Sequence, residues 1–152
     1  MALLHSDHLK AIVTHVQSGY PEEACGLILG TGGDLSVTPC ENLANALHQD
    51  DPETFPRDAR TFYAIDPVLI MKADRAGTLR AVYHSHCDVG DYFSDEDRLQ
   101  ATMGMGEDAG PAWDGCDYLV VSVLQGAAVH ATLWRYDENL RRYEAAERYP
   151  LQ

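Results

Sequence analysis

Thr78-Leu79-Arg80-Ala81-Val82-Tyr83-His84-Ser85-His86 is the stretch on which the fold turns. It reads as a β-strand whose apolar part leads straight into two histidines. Side chains alternate across a strand, so His84 and His86 project from one face and Ser85 from the other. Upstream, Asp66-Pro67 supplies a helix cap followed by proline at the first helical position, and Gly77 is where that helix is expected to stop. Residues 62–65 read as a short strand. Residues 45–61 are polar, with Pro52, Pro56 and paired acids, and read as a loop. Earlier still, residues 24–30 form a buried strand, residues 31–34 carry turn chemistry, and residues 35–38 run back as a hairpin partner. The chain opens with a helix capped by Ser6, striped by Leu9, Ile12, Val13 and Val16, and ended by Gly19 and Pro21.

Downstream, Ser94 opens a helix of roughly ten residues, as its cap and composition suggest. Residues 103–115 are Gly-rich, with Pro111 and Trp113, and read as a loop. Residues 118–124 and 127–136 pair as a hairpin about Gln125-Gly126. Residues 140–149 read as a final strand or a short helix, with neither favoured. Strands dominate, interleaved with about three helices. The expectation is an α/β fold, a curved mixed β-sheet with helices packed on it, in a single domain over residues 1–152.

Composition sets the outer limits. Of 152 residues, 45% are hydrophobic and 23% charged, the balance of a globular domain. The net charge of −13 argues against nucleic acid as a partner, because phosphate contacts need clustered Lys and Arg. Lysine is scarce, at Lys10 and Lys72 only. Such a surface suits concentrated salt, where screening removes self-repulsion, or else forms an acidic face that selects partners. Residues 118–134 lack formal charge but fall short of a membrane span, and no targeting segment is evident at the start. Cys25, Cys40, Cys87 and Cys116 form no C-x-x-C pair, so reduced thiols and a cytoplasmic location are expected.

The segment from His84 to Asp97 carries the chemistry. Asp97 lies three residues behind Ser94, so a loop returning to the strand end adds a carboxylate to two imidazoles. Two His and one carboxylate, with water as fourth ligand, is the composition of an open catalytic zinc site. A structural site is instead closed by four protein ligands, usually including Cys. Ser94 caps its helix through its oxygen, which leaves the hydroxyl hydrogen free to stabilise an oxyanion. Glu23, an acid at the start of an apolar strand, is the candidate proton acceptor, with Glu22 beside it a solvated neighbour.

Glu23-Ala24-Cys25-Gly26, followed by His84-x-His86, seven residues, Ser94, two residues and Asp97, resembles the JAMM (MPN-plus) metallopeptidases. The likeness is greatest to the short stand-alone prokaryotic members related to the Mec-plus group, and it covers roughly residues 6–136. It implies the MPN fold, which is related to that of cytidine deaminases. It further implies Zn2+ held by His84, His86 and Asp97, with Glu23 as general base and Ser94 assisting the tetrahedral intermediate. Members cleave peptide or isopeptide bonds after the C-terminus of ubiquitin-like proteins. A ubiquitin-like or ThiS/MoaD-type sulfur-carrier protein ending in Gly-Gly is the implied substrate. One departure is Cys87, where the family usually has proline. It implies a more mobile loop and a thiol near the metal, although a residue adjacent to a ligand points to the opposite face.

Other readings compete. A catalytically silent scaffold of the same fold would bind partners only, but such relatives typically lose ligands that are all present here. A nucleoside deaminase needs H-x-E with P-C-x-x-C, and Pro39-Cys40 has no second Cys two residues on. A RadC-like role shares the motif logic, but the charge disfavours DNA. Cys25 reads as a buried small hydrophobe and His130 as a core histidine. His5, His8, His15 and His48 read as surface residues, and Asp88, Asp91, Asp95 and Glu96 as solvent-facing acids. Trp113 is a substrate contact or a plug over the core. A strand-edge cleft beside the metal should accept an extended peptide, between walls at residues 47–60 and 104–115.

Overall fold

A computed structural model describes residues 3–103 and 109–151. Helix α1 (Ser6–Gly19) leads through Pro21 into the hairpin β1 (Cys25–Thr31) and β2 (Asp34–Cys40). Two short helices follow, α2 (Ala44–Asp50) and α3 (Pro67–Arg75), before β3 (Leu79–Cys87). Helix α4 (Asp95–Ala101) and a small ribbon, β4 (Thr102–Met103) with β5 (Gly110–Pro111), precede β6 (Asp117–Leu124), β7 (Ala127–Asp137) and β8 (Arg142–Pro150). The main sheet has six strands in the order β2-β1-β3-β6-β7-β8. β3 and β6 are parallel and the other neighbours antiparallel, so the sheet is mixed. Among the described residues no helix is long and apolar enough to cross a membrane.

Two apolar layers sandwich the sheet. α1 lays Ile12 and Val16 against Ile28, Leu119, Val121 and Leu133. On the other face Ala73 of α3 and Ala101 of α4 meet Leu27, Val82, Val120, Tyr118 and Tyr143. The alternation of β3 assigns Ala81 and Tyr83 to the α1 layer and Val82 to the other, which carries His84 and His86 to the α3/α4 side. Gly26 explains itself here. A Cβ on it would come within 2.4 Å of the Tyr83 ring, so the strand pair Gly26–Tyr83 closes only over glycine. The Tyr83 hydroxyl lies 2.6 Å from His15 Nδ1, a half-buried contact that takes His15 partly off the surface.

Several sequence expectations need correction. Helix α1 is capped at His5, whose N–H donates to His8 Nδ1 at 3.0 Å, and Ser6 is already helical. Residues 45–61 are not all loop, because α2 occupies their start, giving four helices among the described residues rather than about three. Residues 62–65 are extended but join no strand. Their backbone groups go to Asn42 instead: its Nδ2 donates to Phe62 C=O at 3.0 Å and its Oδ1 accepts from Ala64 N–H at 3.0 Å. A side chain thus does what a neighbouring strand would do. Residues 142–150 settle as the edge strand β8. His130 is exposed, on the face it shares with Thr132 and Trp134, rather than in the core. Trp113 packs half-buried against the α3/α4 layer, as a plug does.

Candidate metal centre

The register of β1 on β3 assembles the site. Cys25 is paired with His84, and two residues further out the same antiparallel register sets Glu23 across from His86. Ser85 contributes from its own face by accepting the Ala24 N–H at 2.9 Å, so the strand end is tied on both sides. Helix α4 then presents its first turn to the histidines. Ser94 Oγ accepts the Asp97 N–H at 3.1 Å, and the Ser94 N–H donates to Asp97 Oδ2 at 3.0 Å, a reciprocal capping box. The box fixes the Asp97 carboxylate before any metal is considered.

His84, His86 and Asp97 are buried, and each offers one ligand atom within 4.8 Å of the others. His84 Nε2 is 3.0 Å from Asp97 Oδ1, His86 Nε2 is 3.1 Å from Asp97 Oδ2, and the two Nε2 atoms are 3.2 Å apart. His86 Nδ1 must carry a proton, because its partner at 2.9 Å is the Gly90 carbonyl. Its Nε2 therefore aims a lone pair at the shared position. His84 stacks on Tyr63 with ring centres 4.1 Å apart, and its buried Nδ1 has no partner. Its polar contacts are all made by Nε2, the atom that faces Asp97 and His86 and would ligate a metal in place of a proton. Burial pushes His84 below its ordinary pKa and keeps it neutral, the form a metal needs. For Asp97, burial works upward, but the two imidazoles outweigh it and hold the carboxyl well below the usual carboxylate range. For His86, burial works downward, but Asp97 and the Gly90 carbonyl outweigh it and raise its pKa, so a metal would bind there in competition with a proton. Two imidazole nitrogens and one anionic oxygen converging in a buried corner fit a divalent cation.

Glu23, Ser94, His86 and Asp97 line one cleft, together with Phe62 and Glu96. Burial pushes the Glu23 carboxyl up to about 8, with His86 and Arg57 pulling it down and Asp97 pushing it further up. A cation at the shared position would lower it again. Glu22 is exposed and accepts from Asn45 Nδ2.

Cys87 faces away with Ser85 and lies outside the metal group. Burial first, then Glu23 and Asp88, push its thiol up to about 11, so it stays protonated. The loop after it is tied rather than loose. Asp88, at φ 63°, accepts from Tyr20 Oη and from Gln125 N–H, each at 2.7 Å. Asp91 accepts from Thr132 Oγ1 at 2.7 Å and through its carbonyl from Trp134 Nε1 at 3.1 Å. Asp88 and Asp91 are thus structural acceptors, while Asp95 is exposed and Glu96 is half-buried at the cleft. Sequence reasoning passed over Tyr63, Gly90 and Asn42. No local pattern marks them, since each acts on a partner distant in sequence or through its backbone.

The fold and this donor set define an α/β domain built around a His-x-His and Asp group that could hold a metal ion. A family model described as prokaryotic homologues of the JAB domain matches residues 5–137, and the chain belongs to that family. Two solved structures share the fold. One is a protein of Desulfitobacterium hafniense, with TM-score 0.60 and 19% identity over 93% of this chain and 87% of that one. The other is a protein of Salinibacter ruber, with TM-score 0.58 and 25% identity over 94% and 87%. No curated protein matches.

Proposed function

We propose that this protein is a zinc-dependent hydrolase that cleaves a peptide or isopeptide bond after the C-terminal Gly-Gly of a ubiquitin-like or ThiS/MoaD-type sulfur-carrier protein. The observation that carries the reading is a buried, independently held carboxylate, Glu23, in the same cleft as three convergent ligand atoms. A purely structural metal site has no use for such a group.

Zinc bound by His84, His86 and Asp97 would polarise the scissile carbonyl and lower the pKa of a water toward neutrality. Glu23 takes one proton from the attacking water and passes it to the departing amine nitrogen as the C–N bond breaks and the new C–O bond forms. Ser94, its oxygen already accepting from Asp97 N–H, donates its free hydrogen to the oxygen that gains charge. His86 is held in one tautomer by Gly90, and His84 is positioned by Tyr63.

The strand that carries the histidines is not itself an edge open to a substrate. β3 is flanked by β1 and β6, so its backbone cannot pair with a substrate. The tail instead passes the cleft bordered by Phe62, Ser94 and Glu96, which suits glycines, since they carry no side chain past the crowded ligands. Of the expected walls, residues 47–60 hold the end of α2 and Thr54, Phe55, Pro56 and Arg57 of the neighbouring cavity, whereas of residues 104–115 the first five lie outside the described residues and the rest include β5. The test is a carrier fused through Gly-Gly to a short tail, incubated with zinc-loaded protein and read by mass spectrometry. Release of carrier ending in Gly-Gly supports the reading. Intact carriers throughout, with about one zinc bound per chain, would overturn the hydrolase and leave a metal-binding scaffold.

A further inference from the structure

Beside the metal-site cleft lies a second cavity of about 310 Å³, lined by Thr54, Phe55, Pro56, Arg57, Phe62 and Glu96. Phe62 and Glu96 border both spaces, so the two are neighbours. The cavity is preformed. Phe55 N–H donates to Asp51 C=O at 2.9 Å, the Phe55 carbonyl meets His48 Nδ1 at 2.7 Å, and Ala59 N–H donates to Asn45 Oδ1 at 2.8 Å. Its floor is apolar, with the Phe55 and Phe62 ring centres 6.4 Å apart.

Its charge is the informative feature. Three basic side chains belong to the segments around the cleft. Arg60 is paired with Asp58 at 3.1 Å and Arg98 with Asp95 at 3.7 Å. Arg57 has no ion-pair partner among the described residues, yet its charge reaches Glu23. Arg57 is an exposed cation that lines the cavity, and in a chain of net charge −13 it is a local positive spot able to attract an anion from solution. The order of the charges matters too. Glu96 borders cavity and cleft alike, whereas Arg57 borders the cavity alone.

Resting on the hydrolase reading, we propose that this cavity binds the leaving group, and that the leaving group is an amino acid with an apolar side chain and a free α-carboxylate. A Gly-Gly tail has no side chain to fill a pocket next to the scissile bond, so the pocket serves the residue on the other side of that bond. Its amine, at the bond, faces the cleft and Glu96; its carboxylate, one carbon away, meets Arg57; its side chain lies on Phe55 and Phe62. A lysine side chain of a folded protein presents no carboxylate there. Arg57 is a specificity residue: it contacts the leaving group without taking part in proton transfer.

The test pairs binding with turnover. L-Phenylalanine and L-phenylalaninamide are titrated calorimetrically into the zinc-loaded protein and into its Arg57→Gln variant. In parallel, carriers extended by Gly-Gly-Phe with a free or an amidated end are compared for kcat/KM. Loss of one charge-assisted contact is expected to weaken the amide ligand at least about tenfold. The variant should erase that preference, and Arg57→Lys should restore part of it. Chelation of the metal by the amino acid would persist in Arg57→Gln and so is told apart. Equal affinity for acid and amide, or a preference insensitive to Arg57, overturns the proposal whatever happens to the carriers. Arg57-dependent binding of phenylalanine without cleavage of any carrier sustains the ligand site and overturns the carrier-hydrolase reading instead.

Discussion

On the α1 side of the sheet the buried layer is mostly aliphatic: Ile12, Val16, Ile28, Leu119, Val121, Val123 and Leu133, with Tyr83 and Tyr149 as its two buried aromatics. On the α3/α4 side it is aromatic: Tyr63, Phe93, Tyr118 and Tyr143, with Trp113, Trp134 and Tyr136 half-buried behind them. Phe93 and Tyr143 ring centres are 4.9 Å apart, and Tyr118 meets Tyr143 edge-on at 5.5 Å. An aliphatic layer contributes area and nothing else. An aromatic layer contributes area and also donors at its rim. Tyr143 Oη donates to the Ala101 carbonyl at the end of α4, and Trp134 Nε1 donates to the Asp91 carbonyl in the loop behind His86. The second layer therefore fixes backbone on two sides of the metal centre, whereas the first reaches the neighbouring loop only from its rim, where Tyr20 Oη donates to Asp88.

The contrast predicts that damage on the two sides separates into activity and stability. The largest expected effect is on the site side. Glu23→Gln should lower turnover by roughly 10²–10⁴-fold while the bound metal is retained, as removal of a general base does. Near-native turnover would show that another base is at work. The same variant tests the electrostatics of the metal-free protein. A carboxyl raised from 4.5 to about 8 in the fold favours folding fully below its unfolded pKa, and that contribution is lost as pH rises through about 8. Stability of the metal-free wild type should therefore fall across that window more steeply than that of Glu23→Gln; parallel pH profiles would count against a buried Glu23.

Next comes the aliphatic side. Leu119→Ala should cost roughly 2–5 kcal/mol of unfolding free energy, by lost burial and a cavity. Zinc per folded chain, read by metal analysis, should be unchanged; a parallel loss of zinc would break the separation of the layers. Ser94→Ala sits between the two categories. It should cost roughly 0.5–2 kcal/mol through the lost cap and a separate loss of turnover, resolved by measuring melting and rate on the same preparation. The smallest effect concerns neither layer. Potassium chloride should raise the melting midpoint slightly, as screening relieves the net charge of −13; a flat or falling midpoint would refute the salt-adapted reading.

What was legible in the sequence was whatever a local pattern encodes. The apolar runs over β1, β3, β6 and β7 gave the strands, and the spacing from His84 to Asp97 gave a cluster that the fold does bring together. Helix α2 escaped because it spans seven residues and buries little beyond Ala44, so it shows no apolar stripe. Residues 62–65 passed for a strand because their composition suits an extended chain, and partners distant in sequence, Asn42, Leu43 and Gln100, decide what that chain pairs with. Cys87 in place of proline suggested a loose loop. The restraints on that loop come from Tyr20, Gln125, Thr132 and Trp134, which nothing around residue 87 announces.

The capping box at Ser94 and Asp97 has a consequence for descent. One carboxylate both closes the first turn of α4 and brings the sole anion to the metal position. Asparagine retains an oxygen able to accept the Ser94 N–H and is itself a good partner at helix starts, but it lacks the charge. One base change in an aspartate codon makes that substitution. On the hydrolase reading proposed above, a lineage could therefore lose its metal site in a single step while its helix, its sheet and its family resemblance persist. In this architecture the identity of residue 97 distinguishes a metal-binding member from its quiet descendants where the overall shape does not.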